Sequence, residues 1–210
     1  MNSEKMLELC NKALSNNELS GFYLEELKKI IVADINGKKQ KASGKQQLCK
    51  AFERVEKSCE RLLPNRLDLH KIVFDSGKTV VTDGHRCIAA DGRLDGLEIS
   101  ERPDTYIKAI PLLNSMLAED YISVTLPQPA EIVESITVFK ENKRNGKYSY
   151  LFDELKEQDK LYGINPEYLK DMIAAGVTEL RFAQKSRFFI GTDAEKTFTY
   201  AVGGIHIGNR

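Results

Sequence analysis

A set of basic side chains recurs at helical spacing between residues 50 and 61. These residues step by 4, 3 and 4 along the sequence: Lys50, Arg54, Lys57 and Arg61. Positions three and four apart share one face of an α-helix, so the set predicts a basic stripe on a helix surface. Such a stripe can contact nucleic-acid phosphates without reading base sequence. The alternative is a solvated helix face, because Glu53, Glu56 and Glu60 lie between the basic residues.

The segment Asp83-Gly84-His85-Arg86 places an acid, a base and a cation side by side. It is more typical of a hairpin, in which Asp83 and Gly84 are the central residues of a type I′ turn and both have positive φ. Arg86 is then expected to be exposed. Nothing supplies a nucleophile with a base and an orienting group, so no catalytic residue is predicted. The nearby D-S-G-K-T at 75–79 lacks the first glycine of a phosphate-binding loop.

The thiols and imidazoles do not form a metal-ligand pattern. The cysteines are at positions 10, 49, 59 and 87 and the histidines at 70, 85 and 206, with no CxxC pair. Cys49 and Cys59 fall on or beside the apolar side of a predicted helix, where cysteine acts as a small hydrophobic residue. No metal and no cofactor is therefore predicted.

The composition is that of a globular protein with balanced charge. The 210 residues are 41% hydrophobic and 30% charged, and 31 basic residues balance 31 acidic ones. A histone-like protein that binds DNA mainly through net positive charge is therefore excluded, although a local basic stripe is not. No apolar run reaches the ~18–20 residues that span a bilayer, and the N-terminus lacks the apolar core of a signal peptide. We expect a cytoplasmic protein that does not bind membranes.

The N-terminal half predicts helices followed by a β-meander. Residues 1–45 are expected to form a helical appendage, with helices at 3–15 and 22–34 and an exposed loop at 36–45. Helix 46–63 has a continuous apolar stripe and ends before Pro64. Its apolar residues step by 4, 3, 4 and 3: Leu48, Phe52, Val55, Cys59 and Leu62. Short β-branched runs separated by Ser-Gly and Asp-Gly predict strands within 71–90.

The middle of the chain, at about 100–160, is a long charged segment. Residues 97–100 add a short strand. A helix is predicted at 105–118, beginning near Ile110 because Pro111 is tolerated only in a first turn. A strand at 121–126, a helix at 130–141, a solvated basic loop at 140–147 and a strand at 148–152 follow.

The C-terminal part repeats the plan of one helix followed by three strands. Asn165 and Pro166 open the helix and Gly176 ends it. Strands are predicted within 177–183, 186–193 and 196–205. The repetition indicates an α+β fold with pseudo-twofold symmetry, in which both helices lie side by side on one face of antiparallel sheets. Phe52, Val55, Leu169 and Met172 are then expected to be buried.

Two stretches resemble the bacterial sliding clamp family, the DNA polymerase III beta subunit. The sequence V-V-T-D-G-H-R-C-I-A at 80–89 is similar to that family's T-D-G-H-R-L-A, and the C-terminal G-I-N-P-E-Y-L-K-D-M-I and T-F-T-Y-A-V are similar to its closing helix and strands. The resemblance covers roughly 46–90 and 162–206. It implies that 46–210 form a single clamp-like domain, in a protein related to those of phages or mobile elements.

The resemblance also implies a function. The protein is expected to be a non-enzymatic, DNA-associated or replication-associated protein that binds the DNA backbone weakly and without sequence specificity. Clamp helices present Lys and Arg to duplex phosphates, which would assign this role to Lys50, Arg54, Lys57 and Arg61. The implied partners are duplex DNA, replication proteins and further copies of the chain. The alternatives are a protein–protein interaction module that keeps the fold without DNA binding, and an enzyme with an unrecognised site.

Overall fold

The computed structural model describes residues 44–142, 149–155 and 161–207. The predicted helices at 3–15 and 22–34, and the loop at 36–43, lie outside these residues. The chain divides into two compact units, residues 1–46 and 47–210. The fold below is that of the second unit, together with the first turn of its leading helix.

Four α-helices and ten strands make up the described residues. The helices are α1 at 44–62, α2 at Ala109–Leu117, α3 at Pro129–Asn142 and α4 at Pro166–Ala175. The strands are β1 Ile72–Asp75, β2 Lys78–Thr82, β3 Arg86–Asp91, β4 Ile99–Glu101, β5 Tyr121–Val124, β6 Leu161–Gly163, β7 Glu179–Ala183, β8 Phe188–Thr192, β9 Phe198–Gly203 and β10 Ile205–Ile207. The α+β class is therefore confirmed.

The two meanders join into one large sheet. Its strand order is β4-β1-β2-β3-β9-β8-β7-β5, so β1–β3 and β7–β9 meet at the β3–β9 pair. All neighbours are antiparallel except β1 and β4, which run parallel. The sheet is thus mixed, whereas the sequence predicted only antiparallel pairing. Strands β6 and β10, which were not predicted, form a separate two-stranded sheet.

Helices α1 and α4 contribute to one hydrophobic core on one face of this sheet. The prediction that Phe52, Val55, Leu169 and Met172 are buried is confirmed, since all four are fully inaccessible to solvent. They pack with the inward side chains of the strands, including Phe189. The apolar stripe of α1 therefore faces the sheet as its spacing predicted, although its last member is exposed.

Helix α2 covers part of the opposite face. Its Ala109, Ile110 and Leu113 pack with Val80 and Ala201. Residues next to Val80 and Ala201 along their strands belong to the core that α1 and α4 share, so Val80 and Ala201 point to the opposite face of the sheet. The helix begins at Ala109 and places Pro111 in the first turn, where no intrahelical N–H donor is needed. This agrees with the predicted start near Ile110.

Helix α4 begins and ends as its sequence predicted. The Asn165 side chain accepts a hydrogen bond from the Glu167 N–H at 2.9 Å, and Pro166 occupies the first helical position. Gly176 ends the helix with φ of +105°, a left-handed conformation that costs glycine little.

Two hairpin turns differ from the predicted turn chemistry. The turn between β2 and β3 has Gly84 and His85 as its central residues, because the Asp83 N–H donates to the Arg86 carbonyl. Gly84 has φ of +83°, as predicted, but Asp83 does not have positive φ, so the type I′ assignment is wrong here. Positive φ at both central positions is found instead at Ser76 and Gly77, between β1 and β2.

Two further assignments in the middle segment also change. The predicted strand at 148–152 is wrong for its described part, since only a single bridge joins Tyr150 to Ile164. Helix α3 extends to Asn142 and so includes the start of the predicted basic loop at 140–147. The rest of that loop lies outside the described residues.

Gly84→Val is expected to lower the free energy of unfolding by about 1–3 kcal/mol, because a β-branched residue is strained at positive φ. A side chain there would also place its Cβ 3.3 Å from Leu63 Cδ1. Gly44→Val serves as the control. Among the described residues, no atom lies within 4 Å of a Cβ added at Gly44. Equal losses in urea unfolding would contradict the turn geometry.

Candidate nucleic-acid interface

The predicted basic stripe lies on α1, but its four members are not equivalent. Lys50, Lys57 and Arg61 are exposed. Arg54 is only partly exposed and is directed toward α4, where its Nε lies 3.1 Å from Asp171 Oδ1. The structure therefore brings three of the four predicted residues to the surface of α1 and places the fourth between two helices.

The orientation of α1 follows from its apolar stripe and from a polar contact at its side. The Glu56 carboxylate accepts a hydrogen bond from the Ile72 N–H at 3.2 Å, which ties α1 to the start of β1. Burial raises the pKa of Glu56 above its usual value, and this backbone bond partly opposes that rise. With Phe52 and Glu56 held toward the sheet, Lys50 and Lys57 are directed away from it.

Arg86 lies at the centre of a polar network beneath α1 and α4. It is only 5% exposed, so the prediction of an exposed arginine is wrong. Its Nε donates to Asp83 Oδ2 at 2.8 Å, and its Nη1 donates to Asp171 Oδ2 at 3.0 Å and to the Tyr200 hydroxyl at 3.3 Å. Its guanidinium carbon lies 4.4 Å from the ring centroid of Tyr168. Arg86 therefore connects the β2–β3 turn, α4 and β9.

Asp83 organises the turn that positions Arg86. The carboxylate is fully buried, and its Oδ1 accepts hydrogen bonds from the His85 and Arg86 N–H groups, both at 3.0 Å. The Thr82 hydroxyl donates to the Arg86 carbonyl at 2.8 Å and closes the base of the turn. The T-D-G-H-R sequence thus builds a buried ion pair, which gives it a structural role.

Sequence reasoning missed Arg86, although one signal was present. The carboxylate of Asp83 precedes Arg86 by three residues across a tight turn, which lets the two side chains meet. The strand that Arg86 begins continues with Ile88, Ala89 and Ala90, all buried. An arginine at the start of such a strand is expected to need a buried partner.

The described surface of α1 and α4 is only moderately basic. Lys170 is the exposed cation of α4, while Asp171 is occupied by both Arg54 and Arg86. Glu53 and Glu60 are exposed on α1. This charge balance would support weak contacts with phosphates rather than a strongly attracting surface.

Two of the cysteines are poorly suited to nucleophilic chemistry. Burial raises the pKa of Cys59 to about 11 and that of Cys87 to about 12, so both thiols stay protonated at neutral pH. Within the described ranges, no cluster of three or more His, Cys, Asp or Glu side chains could hold a metal ion. In the same residues, no helix has the length and apolar character needed to cross a bilayer.

Comparisons with known proteins found no match to a family model, to a curated protein or to a solved structure. The sliding-clamp resemblance therefore rests on the residues quoted above.

Proposed function

We propose that this chain is a non-enzymatic, clamp-like protein that associates with DNA through α1. The arrangement of its two halves supports the proposal. Each half contributes one helix and three strands, the halves meet at β3–β9, and α1 and α4 contribute to the core on one face. This arrangement resembles the plan of a sliding-clamp domain, in which such helices are directed toward the duplex.

The observation that carries the proposal is the exposed row of Lys50, Lys57 and Arg61 along α1. At 1.5 Å per residue the row spans about 16 Å, close to the rise of about five base pairs along one strand. Cations in such a row can contact successive phosphates but cannot reach base edges. Binding would therefore be independent of sequence.

Arg54 has a different role in this proposal. Its ion pair with Asp171 holds α1 against α4, and Asp171 also accepts a hydrogen bond from Arg86. Arg54 would thus set the distance between the two helices and add positive charge beside the exposed row. A replacement of Arg54 would disturb both functions at once, so it does not belong in a test of phosphate contact.

With only three phosphate contacts, a single protomer binds duplex DNA weakly. Several copies assembled on one duplex would raise the effective concentration of each stripe without any new contact. The proposal therefore includes association of several chains when DNA is bound.

Replacing Lys50, Lys57 and Arg61 together with Gln is expected to weaken duplex binding and to reduce its salt dependence. The slope of log affinity against log salt should fall by roughly 2–3, at about 0.9 per phosphate contact. Fluorescence anisotropy with a labelled duplex at several salt concentrations measures both quantities. The matched control replaces Lys71, Lys108 and Lys185, which are exposed outside α1 and α4.

Two results would contradict DNA association through α1. One is the absence of duplex binding at low salt by a protein that sedimentation shows to be monomeric. The other is an equal loss of salt dependence in the α1 variant and in the control, since bulk charge would then explain the binding.

A protein–protein interaction module is the second candidate, and an apolar cleft favours it. The cleft, of about 80 Å³, lies between α2 and the β2–β3 turn and is lined by Ile107, Leu113 and Phe188. Leu112 at its edge is 49% exposed. If duplex binding is absent, Leu112→Asp should abolish association with a protein partner, while Val133→Asp, which changes an exposed valine on α3, should not.

A further inference from the structure

The sheet face opposite α1 and α4 carries a broad cleft that α2 leaves uncovered. The cleft has a volume of about 740 Å³ and lies beside the C-terminal end of α2, at Leu117. Volumes of this size are typical of ligand-binding clefts. Nothing in the proposed contact between α1 and DNA uses this face.

Strand register gathers the polar side chains of the cleft. Ser123 lies opposite Arg181, and Thr192 lies between Glu179 and Thr199 on the neighbouring strands. The intervening residues Leu180 and Phe182 point to the other face and are buried. The floor of the cleft therefore combines hydroxyl, carboxylate and guanidinium groups with the apolar Ile190, which lies opposite Arg181.

The charged groups of the cleft favour an anionic occupant. Three cations and one carboxylate line it: Lys78, Arg181, Lys196 and Glu179. Lys78 forms an ion pair with Asp91 that offsets its charge, so the net positive charge of the cleft comes from Arg181 and Lys196. Lys196 has φ of +55° in the turn between β8 and β9, so the backbone presents this residue in an uncommon conformation.

An aromatic ring lies at the β5 side of the cleft. Tyr121 is 52% exposed. The Arg181 guanidinium carbon lies 4.8 Å from the centre of its ring, so the ring is supported from one side. A supported, exposed ring beside cations is the combination that stacks nucleic-acid bases while the cations contact phosphates.

We propose that this cleft binds single-stranded nucleic acid. One base stacks on Tyr121, and the following phosphates lie toward Lys196 across the threonine hydroxyls. A duplex does not fit this role, because its bases are already stacked on one another and cannot reach the Tyr121 ring. The cleft is separate from the α1 surface, so the protein has one face for each form of nucleic acid.

The test measures anisotropy of a labelled oligothymidylate of about ten nucleotides at low salt. Tyr121→Ala is expected to weaken binding about ten-fold or more, as loss of a stacking ring does, while Tyr121→Phe keeps the affinity. Lys196→Gln should reduce the salt slope by about 0.7, the value for one contact to a single strand. The matched control replaces Lys71, Lys108 and Lys185 with Gln and should bind the oligonucleotide as the unchanged protein does, and the α1 variant is titrated beside it.

Three results would overturn the proposal. They are no oligonucleotide binding at low salt, equal binding by Tyr121→Ala and the unchanged protein, and loss of binding only in the α1 variant. Urea unfolding of Tyr121→Ala is measured beside the titration to check that the variant remains folded. We expect it to be folded, because Tyr121 is an exposed side chain. A failure of duplex binding through α1 would leave this result unaffected, so the two proposals are tested separately.

Discussion

Asp83→Ala is expected to lower the free energy of unfolding by about 3–5 kcal/mol, because it leaves the buried Arg86 charge without its closest partner. Arginine cannot lose its proton to relieve this cost. The substitution also removes the acceptor of the His85 and Arg86 N–H groups. Urea unfolding followed by circular dichroism measures the change.

Two comparisons separate the ion pair from a general effect of losing an acid. Asp104→Ala removes an exposed carboxylate and should change stability by less than about 0.5 kcal/mol. The double variant Asp83→Ala/Arg86→Met removes both charges and should recover part of the loss, because an apolar pair avoids the cost of a buried charge. A loss below about 1 kcal/mol for Asp83→Ala would show that Arg86 is not held as described.

Phe52→Ala is expected to cost about 3–5 kcal/mol, the usual range for removing a buried aromatic ring. Phe52 lies in the core between α1 and the sheet and is fully buried. The neighbouring Val55, Leu169 and Met172 belong to a packed layer that cannot collapse fully into the space. Denaturant unfolding gives the value.

Leu67→Ala is the control for this substitution, since Leu67 is 71% exposed and its truncation leaves no cavity. Its free energy of unfolding should change by less than about 1 kcal/mol. If Phe52→Ala also changed stability by less than this amount, the apolar stripe of α1 would not be part of the core.

Most elements could be predicted from local patterns. The helix predicted at 46–63 occupies 44–62, and the helix predicted at 165–175 agrees with α4 because both of its ends carry strong capping signals. The strands within 71–90 were predicted correctly because Gly77 and Gly84 separate runs of β-branched and apolar residues. Side-chain spacing and turn residues act over a few positions, so the sequence shows them directly.

The candidate site could be predicted only in part. The helical spacing places Lys50, Lys57 and Arg61 on an exposed face of α1. It does not show that Arg54 meets Asp171, which comes from the other half of the chain. Spacing along one helix defines a face, but it contains no information about which helix packs beside that face.

The sheet shows the same limit. Neither the parallel pairing of β4 with β1 nor the pairing of β6 with β10 has a local signal, because the partners are joined by backbone hydrogen bonds across long stretches of chain. The segment at 149–152 has strand-like residues, but only Tyr150 finds a bridge partner, in Ile164. A strand needs a neighbour, and short sequence patterns do not identify it.

Within the described residues, the sequence by itself determined the positions of the helices, most strands and the glycine turns, as well as the apolar side of α1. These features depend on backbone preferences and periodicity within a few residues. Only the tertiary structure decided that Arg86 is buried, that Arg54 pairs with α4, and that Tyr121 and Lys196 line one cleft. The physical reason is that burial and ion pairing depend on contacts between distant residues. Arg54 and Arg86 reach Asp171 only when the two halves of the sheet meet at β3 and β9, and Tyr121 joins the cleft only through the pairing of β5 with β7.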